Sequence, residues 1–296
     1  MSSYSIKQLE LVSGIKAHTI RMWERRYGLF SPHRTDTNIR RYNDHDVQLI
    51  LNIALLLRNG YRISKLAAKI PEELNNLVLN ISVNESTVKE SDLEPFILNL
   101  FAFNQQAFKS NLNKKIDDLG LEVVFEKIIL PLLERVGILW QTGMIKPVHE
   151  HFVSSIIKHT IIVKYELLKE PKNNAKTILF FLPEGEYHEI GILMYAFVAK
   201  KMGLNTFYLG QSTPINDLIE VLNAVKPSII FSGISTSLPE FEIEGITKDI
   251  KKSSKGSVMY ITGNKSIVNK IRVPKEVVII SSINQFSQKI KAIQAK

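Results

Sequence analysis

The apolar residues follow two rhythms along the chain. In residues 1–70 and 91–172 they recur at helical spacing, as in LEVVFEKIILPLLERVGILW. From Lys176 onward, short apolar runs rich in β-branched and aromatic residues alternate with amphipathic stretches; the runs are TILFFL, NTFYLG, SIIFSGI, SVMYITG and VVIIS. The pattern predicts a helical part followed by an α/β part. Pro131 interrupts the second helical stretch, so we expect a kink or a helix boundary there.

Five strand–helix repeats indicate an open parallel sheet with helices on both faces. This is a Rossmann-like (flavodoxin-like) α/β domain, in which ligands bind beyond the carboxyl ends of the strands. The predicted fold class is therefore multidomain. We expect four parts along the chain. They are an all-α basic module (1–70), a linker rich in Asn, Ser and Glu (71–90), a four-helix bundle (91–172) and the α/β domain (173–296).

The composition narrows the class of protein. Hydrophobic residues make up 45% and charged residues 23% of the 296 residues, which is typical of globular proteins. The absence of cysteine excludes disulfides and thiolate metal sites. No apolar run approaches the 18 residues that a membrane helix needs, and the first residues do not resemble a signal peptide. We therefore expect a cytoplasmic protein with no membrane partner.

The positive charge is concentrated in the first 70 residues. They contain twelve Lys and Arg against five acidic residues, a net +7 of the +9 carried by the whole chain. A disordered basic tail would lack apolar residues, whereas this segment has them at regular spacing. The charge therefore indicates a folded module that binds a polyanion such as DNA.

The predicted order of elements in this module is typical of a helix-turn-helix DNA-binding domain. SIKQLELVSGIKAHTIRMWERRYGL reads as a helix, a tight turn at Gly14 and a second helix. Arg21, Glu24, Arg25 and Tyr27 would project from that second helix, where arginine side chains reach guanine edges or phosphates in a major groove. A polar loop and another apolar helix follow, which suggests a wing.

The run from Tyr4 to Leu66, with TIRMWERRYGLFSP, the R-x-Y that ends at Tyr42 and NGYRISKL, resembles the winged-helix DNA-binding domain of MerR-type regulators. The resemblance implies double-stranded operator DNA, a homo-oligomer (dimer or tetramer) and RNA polymerase as partners. It places DNA-binding residues on the second helix and the wing, namely Arg21, Trp23, Arg25, Arg26, Arg34, Arg40, Arg41 and Tyr42. Trp23 and Tyr27 have an equally good interpretation as core aromatics.

A second motif follows the strand TILFFL. It reads Glu186-x-His188-x-x-Gly191, and the ends of two later strands carry Ser232-Gly233 and Thr262-Gly263. A histidine at such a position is a metal ligand when its second ring nitrogen is held by a neighbouring carboxylate, although a surface histidine is the commoner explanation for the motif alone.

Together these three elements resemble the cobalamin-binding motif. The resemblance implies that His188 is the lower axial ligand of cobalt, with Glu186 behind it, and that the tail of the cofactor lies beside Ser232 and Gly263. Glu186 stands where Asp is more common. Thr262 replaces the first Gly of a Gly-Gly pair, and its side chain would narrow the space between the strand ends that the tail of the cofactor would occupy.

The bundle carries a further match, because Trp140 is followed ten and eleven residues later by Glu150 and His151. This W-x9-E-H pattern resembles the CarH/LitR group of cobalamin-dependent MerR-type photoreceptors, and implies that the three residues line the upper face around the adenosyl group of adenosylcobalamin. The alternative treats Trp140 as bundle core and the later pair as a helix N-terminal turn. A zinc site is disfavoured, because histidines at i and i+2 of a helix point to different faces.

The sequence thus predicts a cobalamin-dependent, light-responsive DNA-binding repressor that is not an enzyme, in which adenosylcobalamin controls the oligomer and operator binding. The alternatives are a light-independent sensor of cobalamin, a regulator that has lost the cofactor, and a corrinoid methyl carrier of a methyltransferase. The basic module argues against the carrier. Gln141 stands where the photoreceptor group commonly has a histidine, so no second imidazole ligand is expected from that position.

Overall fold

The computed structural model describes residues 4–35, 37–85, 90–235, 240–263, 274 and 277–294. The chain divides into two compact units, residues 1–156 and 157–296. Within the described residues, no helix is both long and apolar enough to cross a membrane.

The first unit begins with a winged-helix arrangement. Its elements are α1 (Ile6–Ser13), α2 (Ala17–Tyr27), β1 (His33–Arg34), β2 (Arg40–Arg41), α3 (Asp44–Arg58), α4 (Ile63–Leu66) and α5 (Pro71–Glu85). α1 begins with a capping box between Ser5 and Gln8 and ends at Gly14, whose φ of 72° permits the predicted tight turn. β1 and β2 pair antiparallel and form the wing.

One apolar core joins these elements. Leu9 of α1, Ile20 of α2 and Ile50 of α3 are fully buried in it. Leu74 and Val78 of α5 belong to the same core. The structure therefore differs from the predicted linker, because residues 71–85 form a helix whose buried positions lie at i and i+4, one side of a helix.

Helices follow in residues 90–166, and their arrangement as a four-helix bundle stays a prediction. They are α6 (Glu90–Phe101), α7 (Gln105–Leu119), α8 (Leu121–Val124), a π-helical turn (Phe125–Ile129), α9 (Leu130–Gln141) and α10 (Pro147–Glu166). The π-helical turn lies directly before Pro131, at the expected irregularity. Proline has no N–H for the bond to the carbonyl four residues earlier, so the helix departs from regular α geometry there.

The second unit contains a five-stranded sheet. Its strands are β3 (Thr177–Pro183), β4 (Asn205–Thr213), β5 (Ile229–Ile234), β6 (Val258–Gly263) and β7 (Val277–Ile279), and its helices include α11 (Ile190–Lys201), α12 (Ile215–Val225), α13 (Glu240–Ser253) and α14 (Ile283–Gln294). All neighbouring strands are parallel, in the order β4-β3-β5-β6-β7. The predicted flavodoxin-like architecture is confirmed.

This strand order determines where a ligand site forms. The first strand, β3, has the second strand on one side and the third, β5, on the other, so the connections leave in opposite directions. A crevice opens at the carboxyl ends of β3 and β5, the usual ligand position in such sheets. The loop that carries His188 follows β3, and Ser232 lies on β5 opposite Phe181.

Candidate functional site

The loop between β3 and α11 presents His188 at the carboxyl edge of the sheet. Its side chain is 66% exposed, and its ring Nδ1 lies 2.7 Å from Oε1 of Glu186. The backbone N–H of His188 donates to the same oxygen at 3.0 Å. The contact between carboxylate and imidazole that the motif predicts is therefore present.

Glu186 is fully buried, and several groups stabilise its carboxylate. Besides the two contacts from His188, Oε2 accepts the backbone N–H of Ser235 at 2.6 Å. A carboxylate accepts hydrogen bonds, so in the neutral ring this contact favours the tautomer with the proton on Nδ1 and the lone pair on Nε2. Imidazole binds metal ions in this form, with a carboxylate fixing the tautomer.

Two features of the same edge fit a large cofactor with a tail. A Cβ placed on Gly191, in the first turn of α11, would meet no atom within 4 Å, so there is open space beside this turn. The hydroxyl of Ser232 is buried, and no hydrogen-bond partner for it lies within the described residues. It borders a narrow, mostly apolar pocket lined by Phe181, Ile246 and Ile261. A buried hydroxyl without a partner in such a pocket suits a ligand that supplies an acceptor or donor.

The remaining motif residues are explained by contacts inside the protein. A Cβ on Gly263 would lie 1.8 Å from the carbonyl oxygen of Ile234, so the close approach of β5 and β6 requires glycine there. A Cβ on Gly233 would lie 2.8 Å from the side chain of Leu182. Thr262 donates its hydroxyl to Ile280 O at 2.9 Å. These positions shape the sheet edge next to Ser232, and a role in holding a tail stays a prediction.

Trp140 lies at the end of α9 in the first unit. Its half-buried side chain packs against the winged-helix core. The carbonyls of Trp140, Gln141 and Thr142 accept hydrogen bonds of 2.9–3.0 Å from the side-chain amides of Gln48, Asn52 and Asn75, respectively. Asn52 also donates to Asn75 Oδ1 at 2.9 Å. We call these six residues the amide seam.

The amide seam was not predicted from the sequence. The last carbonyls of a helix have no partner within the helix, and side chains of α3 and α5 supply the missing donors here. Three buried polar atoms of the seam have no partner within the described residues, namely Asn52 Oδ1, Trp140 Nε1 and Gln141 Oε1. A usable signal was the pair of amides at i and i+4, Gln48 and Asn52, in the otherwise apolar DVQLILNIALLLR.

Glu150 and His151 lie in the first turn of α10. His151 Nδ1 is 2.8 Å from Glu150 Oε2, and both side chains are exposed enough to reach a ligand. His149, one residue earlier, caps the helix by accepting from Lys146 N at 3.2 Å and lies against the ring of Phe103. Trp140 and this turn belong to the first unit and His188 to the second, so a joint site stays a prediction.

The predicted DNA-binding residues separate into exposed and buried ones. Arg21, Arg25 and Arg26 are exposed on α2, Arg34 is exposed on β1, and Arg41 of β2 is half-exposed. In contrast, Trp23 and Tyr42 are buried in the core, at 4% and 1% exposure. Their predicted contact with DNA is replaced by packing, because both rings are buried in the apolar core of the winged helix.

Arg40 is half-buried and engaged within the protein. Its Nε donates to both carboxylate oxygens of Glu24, at 3.0 and 3.2 Å, which raises the pKa of the guanidinium. Burial, with a contribution from Glu24, raises the pKa of Tyr42 to about 12. The ion pair between Arg40 and Glu24 ties the wing to α2.

Comparison with known proteins agrees with this arrangement. Residues 4–73 match the family described as MerR HTH family regulatory protein, and residues 93–163 match the B12 binding domain family. The HTH-type transcriptional repressor CarH of Myxococcus xanthus is 28% identical over 239 residues, 79% of each chain. The repressor CarA of the same organism is 26% identical over 247 residues, 82% of this chain and 81% of that one. Both relatives are transcription regulators rather than enzymes.

A solved structure shares part of this fold. The monomethylamine corrinoid protein of Methanosarcina barkeri superposes with a TM-score of 0.54 over 66% of this chain and 94% of that one, at 11% identity. At this identity the likeness concerns the fold alone.

Proposed function

We propose that this chain, a cobalamin-binding MerR-type transcription regulator homologous to the CarH and CarA repressors, holds adenosylcobalamin through His188 and represses transcription in a cofactor-controlled oligomer. The contact of His188 with the buried Glu186 carries the proposal. An imidazole oriented by a carboxylate, at the ligand edge of a flavodoxin-like sheet, would hold the cobalt of the cofactor.

Three residues near His188 contribute to cofactor binding in this proposal. Glu186 holds the imidazole, and Ser232 offers a hydroxyl to the tail of the cofactor. Gly191 leaves the first turn of α11 open to a flat macrocycle. When bound, adenosylcobalamin supplies a cobalt–carbon bond that light breaks, and this chemistry belongs to the cofactor itself.

The winged helix supplies the DNA contact in this proposal. Arg21, Arg25 and Arg41 have no carboxylate partner in the described part of the chain, so their charges face solvent. A recognition helix and wing with such arginines would contact phosphates and guanine edges. Binding should therefore weaken steeply as salt rises, because counterions are released from DNA.

The amide seam provides the physical link between cofactor and DNA. Because α3 and α5 bind the end of α9, the winged helix and the helical B12-binding region share a core and hydrogen bonds. A ligand that displaces Trp140 would also disturb α3, which packs on the recognition helix through the same core. This makes operator affinity sensitive to the cofactor.

Absorption spectroscopy of the full chain tests the cofactor assignment. Adenosylcobalamin added in the dark should give the spectrum of a cobalamin that has its own base displaced by histidine. His188→Ala should lose that signature, while His159→Ala, an exposed histidine of α10, should keep it. The same spectrum in wild type and His188→Ala would contradict the assignment.

Gel shifts test the DNA assignment on duplexes selected from a random pool. Arg25→Ala should weaken binding at least tenfold and leave cobalamin uptake unchanged. Lys201→Ala, an exposed charge of the second unit, serves as a control for net charge. An equal loss of DNA affinity in both variants would show that only the net charge matters, and would contradict the assignment of the winged-helix arginines as the DNA-binding surface.

Gln141 favours a second candidate, a light-independent sensor of cobalamin. Its amide is a weak cobalt ligand, and its Oε1 is buried in the amide seam. Illumination followed by size-exclusion chromatography distinguishes the candidates. A change in oligomer size supports the photoreceptor, whereas an unchanged oligomer that still responds to added cobalamin supports the sensor.

A further inference from the structure

Glu189, the residue directly after His188, is the centre of a second polar network. Its side chain is only 13% exposed. Oε1 accepts from Lys158 Nζ at 2.8 Å and from Gln211 Nε2 at 2.7 Å, and Oε2 accepts from the hydroxyl of Tyr208 at 3.1 Å. One carboxylate thus connects the loop to α10 and to β4.

The Glu189 carboxylate accepts hydrogen bonds from these neighbours rather than from the backbone of its own helix. Glu189 is the N-cap residue of α11, yet its side chain makes no capping hydrogen bond. The shorter side chains of Asp, Asn, Ser and Thr are the ones that usually cap a helix N-terminus. Burial and the nearby carboxylate raise the pKa of Tyr208, so its hydroxyl remains a donor at neutral pH.

The end of β4 holds the same loop at three other points. Gln211 Nε2 also donates to Tyr187 O at 3.1 Å, and the N–H of Ser212 donates to Glu186 O at 3.1 Å. The N–H of Gly185 donates to the hydroxyl of Ser212 at 3.1 Å. Ser212 has a φ of 46°, a left-handed conformation that is uncommon for residues other than glycine. The end of β4 is thus hydrogen-bonded to the loop through both side-chain and backbone groups.

We propose that Glu189 is a positioning residue for the cobalt ligand, and that its bonds to Lys158, Tyr208 and Gln211 fix the loop so that His188 keeps the orientation set by Glu186. The inference rests on the proposed function. Because the ring of His188 is mostly exposed, its position depends on the loop backbone rather than on packing around the ring. Groups that orient a metal ligand change metal affinity by about 10–100-fold when removed.

Titration of the full chain with hydroxocobalamin tests this role. Glu189→Ala should bind about tenfold or more weakly and show a mixture of histidine-bound and histidine-free spectra. Glu189→Gln keeps an oxygen that accepts from Lys158 or Tyr208, so it should recover part of the affinity. Glu184→Ala removes an exposed carboxylate of the same loop and should behave as wild type.

A measurement without cofactor accompanies the titration. Amide hydrogen exchange at Tyr187 and His188 should be faster in Glu189→Ala than in wild type or Glu184→Ala. Should Glu189→Ala fail to fold, Lys158→Ala and Tyr208→Phe each remove one of its bonds, and each should give a smaller change in the same direction.

The outcomes separate the two proposals. A wild type without a His188-dependent spectrum overturns the proposed function, and the positioning role with it. A wild type with that spectrum and a Glu189→Ala variant of equal affinity and equal spectrum overturns the positioning role alone. Weaker affinity with a fully histidine-bound spectrum also overturns it, because the ring orientation would be unchanged.

Discussion

The carboxylate of Glu186 in the His188 loop and the amide seam are both buried, but they differ in how completely their polar atoms are paired. In the loop, the Glu186 carboxylate accepts hydrogen bonds from the backbone and ring of His188 and from Ser235. In the seam, Asn52 Oδ1, Trp140 Nε1 and Gln141 Oε1 are buried without partners in the described residues.

This difference indicates different mechanical roles. A satisfied network in a low-dielectric interior is rigid, because each bond would be expensive to lose. Each unpaired buried polar atom destabilises its surroundings by about 1–3 kcal/mol. The loop is therefore built to hold one geometry, whereas the seam is closer in free energy to an opened state in which water or a ligand pairs those atoms.

The largest effect should come from removing the centre of the paired network. Glu186→Ala leaves the donors of His188 and Ser235 without their acceptor, so we expect the second unit to lose about 3 kcal/mol of stability. Hydrogen exchange of the β5 amides measures this unit separately. Glu184→Ala should stay within about 0.5 kcal/mol of wild type. A loss below 1 kcal/mol in Glu186→Ala would remove the contrast between the two networks.

The next effect concerns the donors of the seam. Asn52→Ala removes the hydrogen bonds to Gln141 O and Asn75 Oδ1, and should destabilise the first unit by about 1–3 kcal/mol. Both tryptophans, Trp23 and Trp140, belong to this unit, so their fluorescence in urea follows its unfolding selectively. Asn59→Ala, at the exposed end of α3, is the control. An equal loss in both variants would argue against a special role of the seam.

A smaller effect of opposite sign should follow from removing an unpaired atom. Gln141→Met keeps the length of the side chain but deletes the buried Oε1 that has no partner. Such replacements are neutral or stabilising, and we expect a gain of up to about 1 kcal/mol in the same fluorescence assay. A clear loss of stability would show that Oε1 is paired in solution, which would make the seam as satisfied as the loop.

The smallest effect is a pH dependence in the Glu189 network. Tyr208→Phe removes one hydrogen bond, which should lower the free energy of unfolding by about 1 kcal/mol near pH 8. The pKa of Tyr208 is raised in the folded state, so above pH 10 only the unfolded tyrosine ionises, which lowers the stability of the wild type. The wild type should lose about 0.8 kcal/mol relative to Tyr208→Phe between pH 8 and pH 10.5. A constant difference across this range would contradict the raised pKa.

The sequence by itself determined those features that depend on neighbouring residues. Continuous apolar runs such as TILFFL required strands buried on both faces, and five of them with helices between gave the flavodoxin-like sheet. Glu186 and His188 are two residues apart in one loop, so their contact followed from local geometry. The net charge of residues 1–70 similarly indicated the DNA-binding module.

Only the tertiary structure decided what each buried surface packs against. Periodicity shows which side of a helix is apolar, but it does not name the partner, because that contact joins residues far apart in the chain. The sequence alone therefore favoured bundle core for Trp140, and the His188 motif shifted the interpretation to a ligand cap, yet Trp140 packs on the winged-helix core and its carbonyl accepts from Gln48. Likewise α5 contains enough polar residues to resemble a linker, and the burial of Leu74 and Val78 in a distant core makes it a helix of the first unit.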